Sequence, residues 1–434
     1  MALSSSMLNG ERGVVVLIVC RVLYSLPLSL LCPGLNLAIL SLFALFLDIR
    51  LDDSAALSRF KTRPGASSGI LLGAVTLPTV MISKLIQLTR AYSLQQIELQ
   101  ELEHMTMQYW ATSASCFGVL IFLCLVVLST PNTKRFPRSF SVWDATLSIF
   151  CVATYAVTCC VSLAAISHTG SNTVLKLMWE LYHGLVAVML IQRLLDKFPS
   201  CASIGELLLV TVGLVLYFGD MLACTIAKNS KIERILLRKY YHLLAVLMFV
   251  PALIFQPKFL HLAFGAALAV FLVLEIMRVW RIWPLGQFIH QFMTAFTDHR
   301  DSDLLIVSHF SLLLGCALPI WMSSGFNDRP LAPFAGILSL GIGDTMASIV
   351  GYKYGVLRWS KTGKKTIEGT AAGITSVLAA CSILLPLLAS TGYIFTEHWF
   401  SLILAVTVSS LLEAYTTQLD NAFIPLIFYS HLCL

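Results

Sequence analysis

Apolar runs of membrane-crossing length recur along this chain with short charged connections between them, and that pattern constrains the fold more than any motif does. The runs stand at about 13–48, 68–88, 110–129, 146–166, 174–195 and 204–227, then at about 241–257, 259–279, 304–323, 330–351, 367–389 and 398–415, before a last apolar segment containing Pro425. A helix needs about 20 apolar residues to cross the hydrocarbon core, where its backbone must satisfy its own hydrogen bonds. Of the 434 residues 57% are hydrophobic and 12% charged, well below the roughly 25% charged share of soluble domains. The expected fold is all-α, a polytopic transmembrane helical bundle of about 13–14 spans. No polar block is long enough to form a separate soluble domain. The change in character at Lys228 divides the chain into N-terminal membrane helices, 1–227, and a C-terminal membrane-embedded region, 228–434, that holds most of the chemistry.

The net charge of +6 comes from short loops, which fits orientation by the positive-inside rule rather than nucleic-acid binding. None of the twelve cysteines forms a C-x-x-C pair, so they read as small buried hydrophobes. The first run, broken around Pro33 and Gly34, reads as an uncleaved membrane segment because no small-residue cleavage site follows it. Arg90 to Gln108 is polar and reads as a short interfacial helix or loop. In the run at 174–195, Glu180 and His183 form a polar pair one turn apart, and Glu206 and Asp220 follow in the next run. Ionisable groups at membrane depth face a bundle interior or water.

Parity orders the second half. With the basic loop at 228–240 on the cytosolic side, successive pairs of crossings return the chain to that side at 280–303, at the basic loop 352–366, and at Glu413, Asp420 and Asn421. The opposite turns, near 256–258, 323–329 and 391–398, are short and carry little charge. Every polar cluster of the C-terminal half thus falls on one face.

The chemistry centres on Gly336 to Gly373. Asp344 stands among small and apolar neighbours, a basic loop carries Lys353, Arg358, Lys361, Lys364 and Lys365, and a second apolar run opens with Thr366, Glu368 and Gly369. Magnesium is usually held by one or two carboxylates together with nucleotide phosphates. Asp344 and Glu368 suit that role, with Asp301 and Asp420 as further candidates. The lysines suit a loose phosphoryl-transfer transition state. Gly341, Gly343, Gly351 and Gly355 allow close backbone approach to a phosphate or to a neighbouring helix. The segment GKKT at 363–366 is no Walker A motif, because Arg358 stands where its first glycine belongs. Rossmann, protein-kinase and nucleophile-elbow signatures are absent.

GIGDTMASIVGYKYG followed by KTGKKTIEGTAAG resembles the nucleotide-binding signature of the polyprenol kinases, most closely the dolichol kinase family. Arg238 to His242, Glu275 with Arg278, Asp298 to Asp301, and Glu413 with Asp420, Asn421 and Pro425 fit the same resemblance, which covers about residues 230–430. It implies a multispanning enzyme of the endoplasmic reticulum membrane, its active site facing the cytosol. Such an enzyme uses CTP and a divalent cation such as Mg²⁺ to phosphorylate dolichol, making the dolichyl phosphate carrier of protein glycosylation. Gly343, Lys361, Lys364, Lys365, Thr366, Glu368, Gly369, Arg238 and Lys239 would then bind CTP. Asp344 and Glu368 would hold the metal, and Asp344, Asp301 and Asp420 would serve catalysis; the general base stays open.

Three other readings are consistent with parts of the pattern. A phytol or farnesol kinase shares the signature. A phosphatidate cytidylyltransferase also uses CTP in a membrane, yet its later H-G-G element is replaced here by TAAG after Gly369. A transporter would place Glu180, His183, Asp220 and Asp344 along a pathway, usually within repeated halves, and no repeat is evident.

Overall fold

The computed structural model describes residues 9–52, 67–129, 234–281, 286–287, 290, 307–324, 326–360, 363–390, 399–416 and 420–434. Its helices are α1 (Gly10–Tyr24), α2 (Leu31–Asp52), α3 (Ile70–Ser93), α4 (Leu99–Ser129), α5 (Arg234–Phe255), α6 (Pro257–Trp280), α7 (Val307–Met322), α8 (Thr345–Tyr354), α9 (Ile367–Ser390), α10 (Trp399–Tyr415) and α11 (Asp420–Cys433). Among the described residues extended pairing is limited to one bridge, Arg358 with Thr366. The all-α membrane bundle expected from the apolar runs is therefore the observed fold. Leu28–Arg50, α3, α6 and α9 are each long and apolar enough to span, and α5, α7 and α10 contain shorter apolar helices. The runs at 146–166, 174–195 and 204–227, with Glu180, His183, Glu206 and Asp220, lie outside the described residues.

Three local expectations change. The first run breaks at Ser25–Pro27 rather than at Pro33. Pro33 and Gly34 sit in the first turn of α2, where proline's missing N–H has no helical partner to lose. Leu99 to Gln108 is the polar opening of α4, a 31-residue helix, and not a separate surface element. The run at 330–351 is no single α-helix either. A 3₁₀ turn (Ala332–Phe334) leads into a π-helical segment (Ile337–Asp344), which passes directly into α8. π-turns are rare and frequently mark functional sites, and this one ends on Asp344.

Glycine lets other helices close on that segment. A Cβ at Gly341 would strike the Val246 side chain and lie 3.3 Å from the His242 carbonyl, so α5 can lie flush against the π-turn. A Cβ at Gly369 would sit 2.5 Å from the Ala347 carbonyl and 3.1 Å from Gly351 Cα, so α8 and α9 meet backbone to backbone. Gly369→Val is expected to cost roughly 1–3 kcal/mol by forcing these helices apart, read as a lower unfolding midpoint in detergent. A variant as stable as the parent would mean that the interface has slack.

Two apolar cores share a wall. Val15, Ile18, Leu37, Leu40, Leu72, Leu85 and Leu120 of α1–α4 pack with Leu412 of α10 and Ile427 of α11. On the other side Leu253, Phe264, Ala317, Leu338, Cys381 and Leu385 pack with Val406 of α10 and Phe428 of α11. α10 and α11 thus face both halves of the chain. Cys116, Cys316, Cys381 and Cys433 are buried as thiols. The opposite face of α2 leaves Leu31, Leu35, Ile39, Leu42 and Phe46 exposed at helical spacing, the expected lipid-facing stripe. The bundle ends are polar. At one end Lys84, Gln87 and Arg90 of α3 bond the loop at Phe326, Asn327 and Asp328. At the other, α1 begins against the ring of Tyr415, two residues beyond Glu413.

Candidate active site

Asp344 stands where the π-turn becomes α8, and its side chain is 8% exposed. Lys239 Nζ donates to Asp344 Oδ2, and His242 Nδ1 lies 3.3 Å from the same oxygen. His242 Nδ1 also lies 3.2 Å from the Leu340 carbonyl. Lys239 and His242 are one turn apart on α5 and so share a face. The close approach at Gly341 brings that face to Asp344. Thr345 Oγ1 donates to the Lys239 carbonyl at 3.4 Å, a second tie between the two segments.

The basic loop folds into a short hairpin. Trp359 N–H donates to the Lys365 carbonyl at 3.2 Å, and Ile367 N–H to the Leu357 carbonyl at 2.8 Å. Thr366 Oγ1 accepts from Gly369 N–H at 3.2 Å, so it caps α9. The Glu368 carboxylate accepts from Leu357 N–H at 3.0 and 3.2 Å, which closes the base of the hairpin. Trp359 Nε1 donates to Thr370 Oγ1 at 2.9 Å, and its ring lies 5.3 Å from that of Tyr415. This pinning leaves Lys353, Arg358 and Lys364 exposed and turns Lys365 inward.

Lys365 Nζ donates to Glu413 Oε1 at 2.5 Å. Glu413 is buried, while the Lys365 side chain keeps 36% of its surface open. Burial acts to lower the lysine's pKa and is outweighed by Glu413, Asp344 and Asp420, which together raise it. Lys365 therefore stays charged throughout the physiological range. Its three acidic neighbours place Asp344, Asp420 and Glu413 in one electrostatic cluster around the hairpin's inner lysine. Such a layer of fixed charges at the end of a helical bundle can receive a polyanion and hold its charge as it redistributes.

Of the residues singled out by sequence, Asp344, Lys239, Lys365 and Asp420 converge here. Arg238 precedes Lys239 on α5, Lys364 stands at the exposed hairpin, and Thr366 and Glu368 hold the hairpin's base. A Cβ at Gly343 would lie 3.1 Å from the Val377 side chain, and Gly369 packs on α8. Lys361 and Asp301 lie outside the described residues. His242 entered the sequence reading only through the family resemblance, and Glu413 through that and the parity of crossings, neither with a role. A histidine one turn from a lysine, and an acid closing an apolar run, were the available signals. Among the described residues no three His, Cys, Asp or Glu side chains are grouped to hold a metal by themselves. The donor set fits a hard cation that arrives with a phosphate ligand, which needs only one or two protein carboxylates.

An all-helical polytopic membrane protein with paired carboxylates and ammonium groups at one end, beside a cationic hairpin, is built to handle an anionic group at a membrane surface. The dolichol kinase family model matches residues 112–385. "Dolichol kinase EVAN" of Arabidopsis thaliana is 51% identical over 566 aligned positions, covering 99% of each protein. That alignment is longer than the 434 residues of this chain, so over a fifth of its positions fall opposite gaps here. The dolichol kinase of Homo sapiens is 41% identical over 197 residues, 44% of this chain and 36% of that protein; that of Saccharomyces cerevisiae is 35% identical over 190 residues, 43% and 34%. No solved structure matches. The chain belongs to the dolichol kinase family.

Proposed function

We propose that this protein transfers the γ-phosphoryl group of CTP to the hydroxyl of dolichol, making dolichyl phosphate for protein glycosylation. The site would face the cytosol from the membrane of the endoplasmic reticulum. The observation that carries the reading is the joined pair of ion contacts, Lys239–Asp344 and Lys365–Glu413, set beneath an exposed basic hairpin in a chain of this family.

Each group has a task in that reaction. Arg238, Lys361 and Lys364 draw the triphosphate to the hairpin. Lys239 and Lys365 lie deeper and stabilise charge on the oxygens of the transferring group, which spreads in a loose transition state. Thr366, Glu368, Gly343 and Gly369 hold the geometry, with Glu368 a metal ligand only if it releases the Leu357 amide. Asp344, assisted by Asp420 or Asp301, would hold a Mg²⁺ borne by the phosphates, and the bound ion would offset their charge. His242 fixes the Asp344 carboxylate from one side.

The test is transfer of label from γ-radiolabelled CTP to dolichol in membranes containing the protein, with phytol as a second acceptor and ATP as a second donor. Labelled dolichyl phosphate that vanishes on chelation of Mg²⁺ and returns on its addition is the expected result. Equal transfer from ATP would overturn the donor, labelling of phytol alone would overturn the acceptor, and no transfer to any alcohol would overturn the kinase reading.

A further inference from the structure

The exposed side of the hairpin is as apolar as it is basic. Tyr352 and Tyr354 at the end of α8, Val356 and Leu357 in the hairpin, and Ile367 at the start of α9 are all exposed, Val356 by 81% and Tyr354 by 70%. Lys353 and Arg358 stand exposed among them. Neither cation belongs to the Lys239–Asp344 or Lys365–Glu413 pair. Inward, Trp359 grips Thr370 and stacks near Tyr415. One side of the hairpin thus serves the charged cluster, and the other presents large apolar side chains and cations to whatever lies outside the described bundle.

The level of this patch identifies its occupant. α9 is a candidate span of 24 residues, about 36 Å long at 1.5 Å per residue, against a hydrocarbon core of about 30 Å. Its first residue, Ile367, therefore stands at the edge of the hydrocarbon, where headgroups begin. The rest of the patch is tied to that level. Ile367 N–H donates to the Leu357 carbonyl at 2.8 Å. A Cβ at Gly351 would lie 3.5 Å from Gly369 Cα, which sets the last turn of α8 beside the first turn of α9. At that depth, tyrosines and cations with aliphatic neighbours are what a lipid interface favours. A nucleotide alone would leave Val356 and Leu357 in water, and a second copy docked on the same patch would set cations against cations. We propose that this face of the hairpin docks on the bilayer around the protein, with Val356 and Leu357 at the headgroup–acyl boundary and Lys353 and Arg358 on the phosphates of anionic phospholipids. The contact itself goes beyond the kinase reading and does not depend on it; its effect on rate does.

Docking holds the hairpin, and with it Lys365, at the depth where a lipid alcohol presents its hydroxyl. Lipid charge should then set the rate of transfer, and the sign of the effect is informative. Anionic lipid repels CTP from the surface, so a protein indifferent to these lipids would slow on their addition at CTP below its KM. Faster transfer is the signature of the contact.

The experiment uses the full-length protein in vesicles of phosphatidylcholine alone, and of phosphatidylcholine with about one part in four of phosphatidylserine. A benzophenone side chain introduced at position 356 and irradiated without nucleotide should add the mass of a phospholipid. An adduct with a second copy, an adduct with another segment of the same chain, or no adduct would each overturn the docking. Each basic side chain at an anionic surface favours contact roughly fivefold, so transfer to dolichol should be at least about fivefold faster in the mixed vesicles. Lys353→Gln combined with Arg358→Gln should bring that ratio to within about twofold of unity, and both residues are exposed, where substitution seldom unfolds a protein. A parent ratio at or below unity, or a double variant that keeps the parent's ratio, would overturn the phosphate contacts. A double variant whose KM for CTP rises alike in both vesicles would overturn them too, by assigning the two cations to the triphosphate. A parent that transfers no phosphate yet yields lipid adducts would overturn the kinase reading and keep the docking.

Discussion

Asp344→Asn is expected to lower phosphate transfer about a thousandfold while the protein remains in the membrane. The substitution keeps the side chain's shape and removes the charge that Lys239 and His242 converge on. Loss of one preorganised electrostatic contact in an active site costs about 10²–10³ in rate. Loss of a proposed seat for the phosphate-borne cation adds to that. The substitution also strands the Lys239 ammonium, 16% exposed, beside a neutral amide. Breaking a buried pair from one side costs about 3–5 kcal/mol of stability, so a drop in rate alone would be ambiguous. Pairing Asp344→Asn with Lys239→Met resolves it, because the double variant has no stranded charge. It should recover most of the thermal midpoint measured in detergent and none of the transfer rate. Recovery of both would demote Asp344 to a structural residue, and more than a tenth of parental activity in the single variant would remove it from the site.

Much of this architecture was legible before any coordinates, and the reason is physical. A bilayer admits few structures, so run length alone specifies helices and their approximate ends. The contact between Lys365 of the hairpin and Glu413 brings together two of the clusters that the parity of crossings and the positive-inside rule had gathered on one face. What stayed hidden depends on packing between distant parts. The Lys239–Asp344 contact joins residues 105 apart and Lys365–Glu413 joins residues 48 apart. Nothing in the spacing of either pair announces a partner. The π-turn was equally silent, because Ile337–Asp344 carries the same apolar pattern as an α-helix. Thr366 and Glu368 carried a different ambiguity. A threonine and an acid at the mouth of a helix suit a phosphate and a metal, and equally a cap and a hairpin clasp; the coordinates show the second set of contacts.

The largest stability effect belongs far from the chemistry in sequence, at Arg12. Its Nε donates to Asp48 Oδ2 at 2.5 Å and its terminal nitrogen to the Asp48 carbonyl at 3.1 Å, with both side chains almost wholly buried. Ser68 Oγ donates to the other Asp48 carboxylate oxygen, and Glu11 next to Arg12 accepts from Ser67 at 3.0 Å. One polar knot therefore joins the starts of α1 and α3 to the end of α2, and α1 leans there on Tyr415, whose ring meets Trp359 of the hairpin. Arg12→Met should destabilise the protein by about 3–5 kcal/mol, because it leaves the Asp48 carboxylate buried with only a serine for company. Adding Asp48→Leu should restore most of that loss, since an apolar pair of similar volume can replace a buried ion pair at little net cost. The measurement is the unfolding midpoint of both variants in detergent, beside their transfer rates. If Arg12→Met melts early and the double variant does not, the knot is a packing device whose charges are dispensable. If the double variant is stable yet transfers slowly, the knot also sets the hairpin through Tyr415 and Trp359, and the N-terminal helices belong to the working site. A single variant as stable as the parent would mean that water reaches Asp48 and that these helix ends are looser than their contacts indicate.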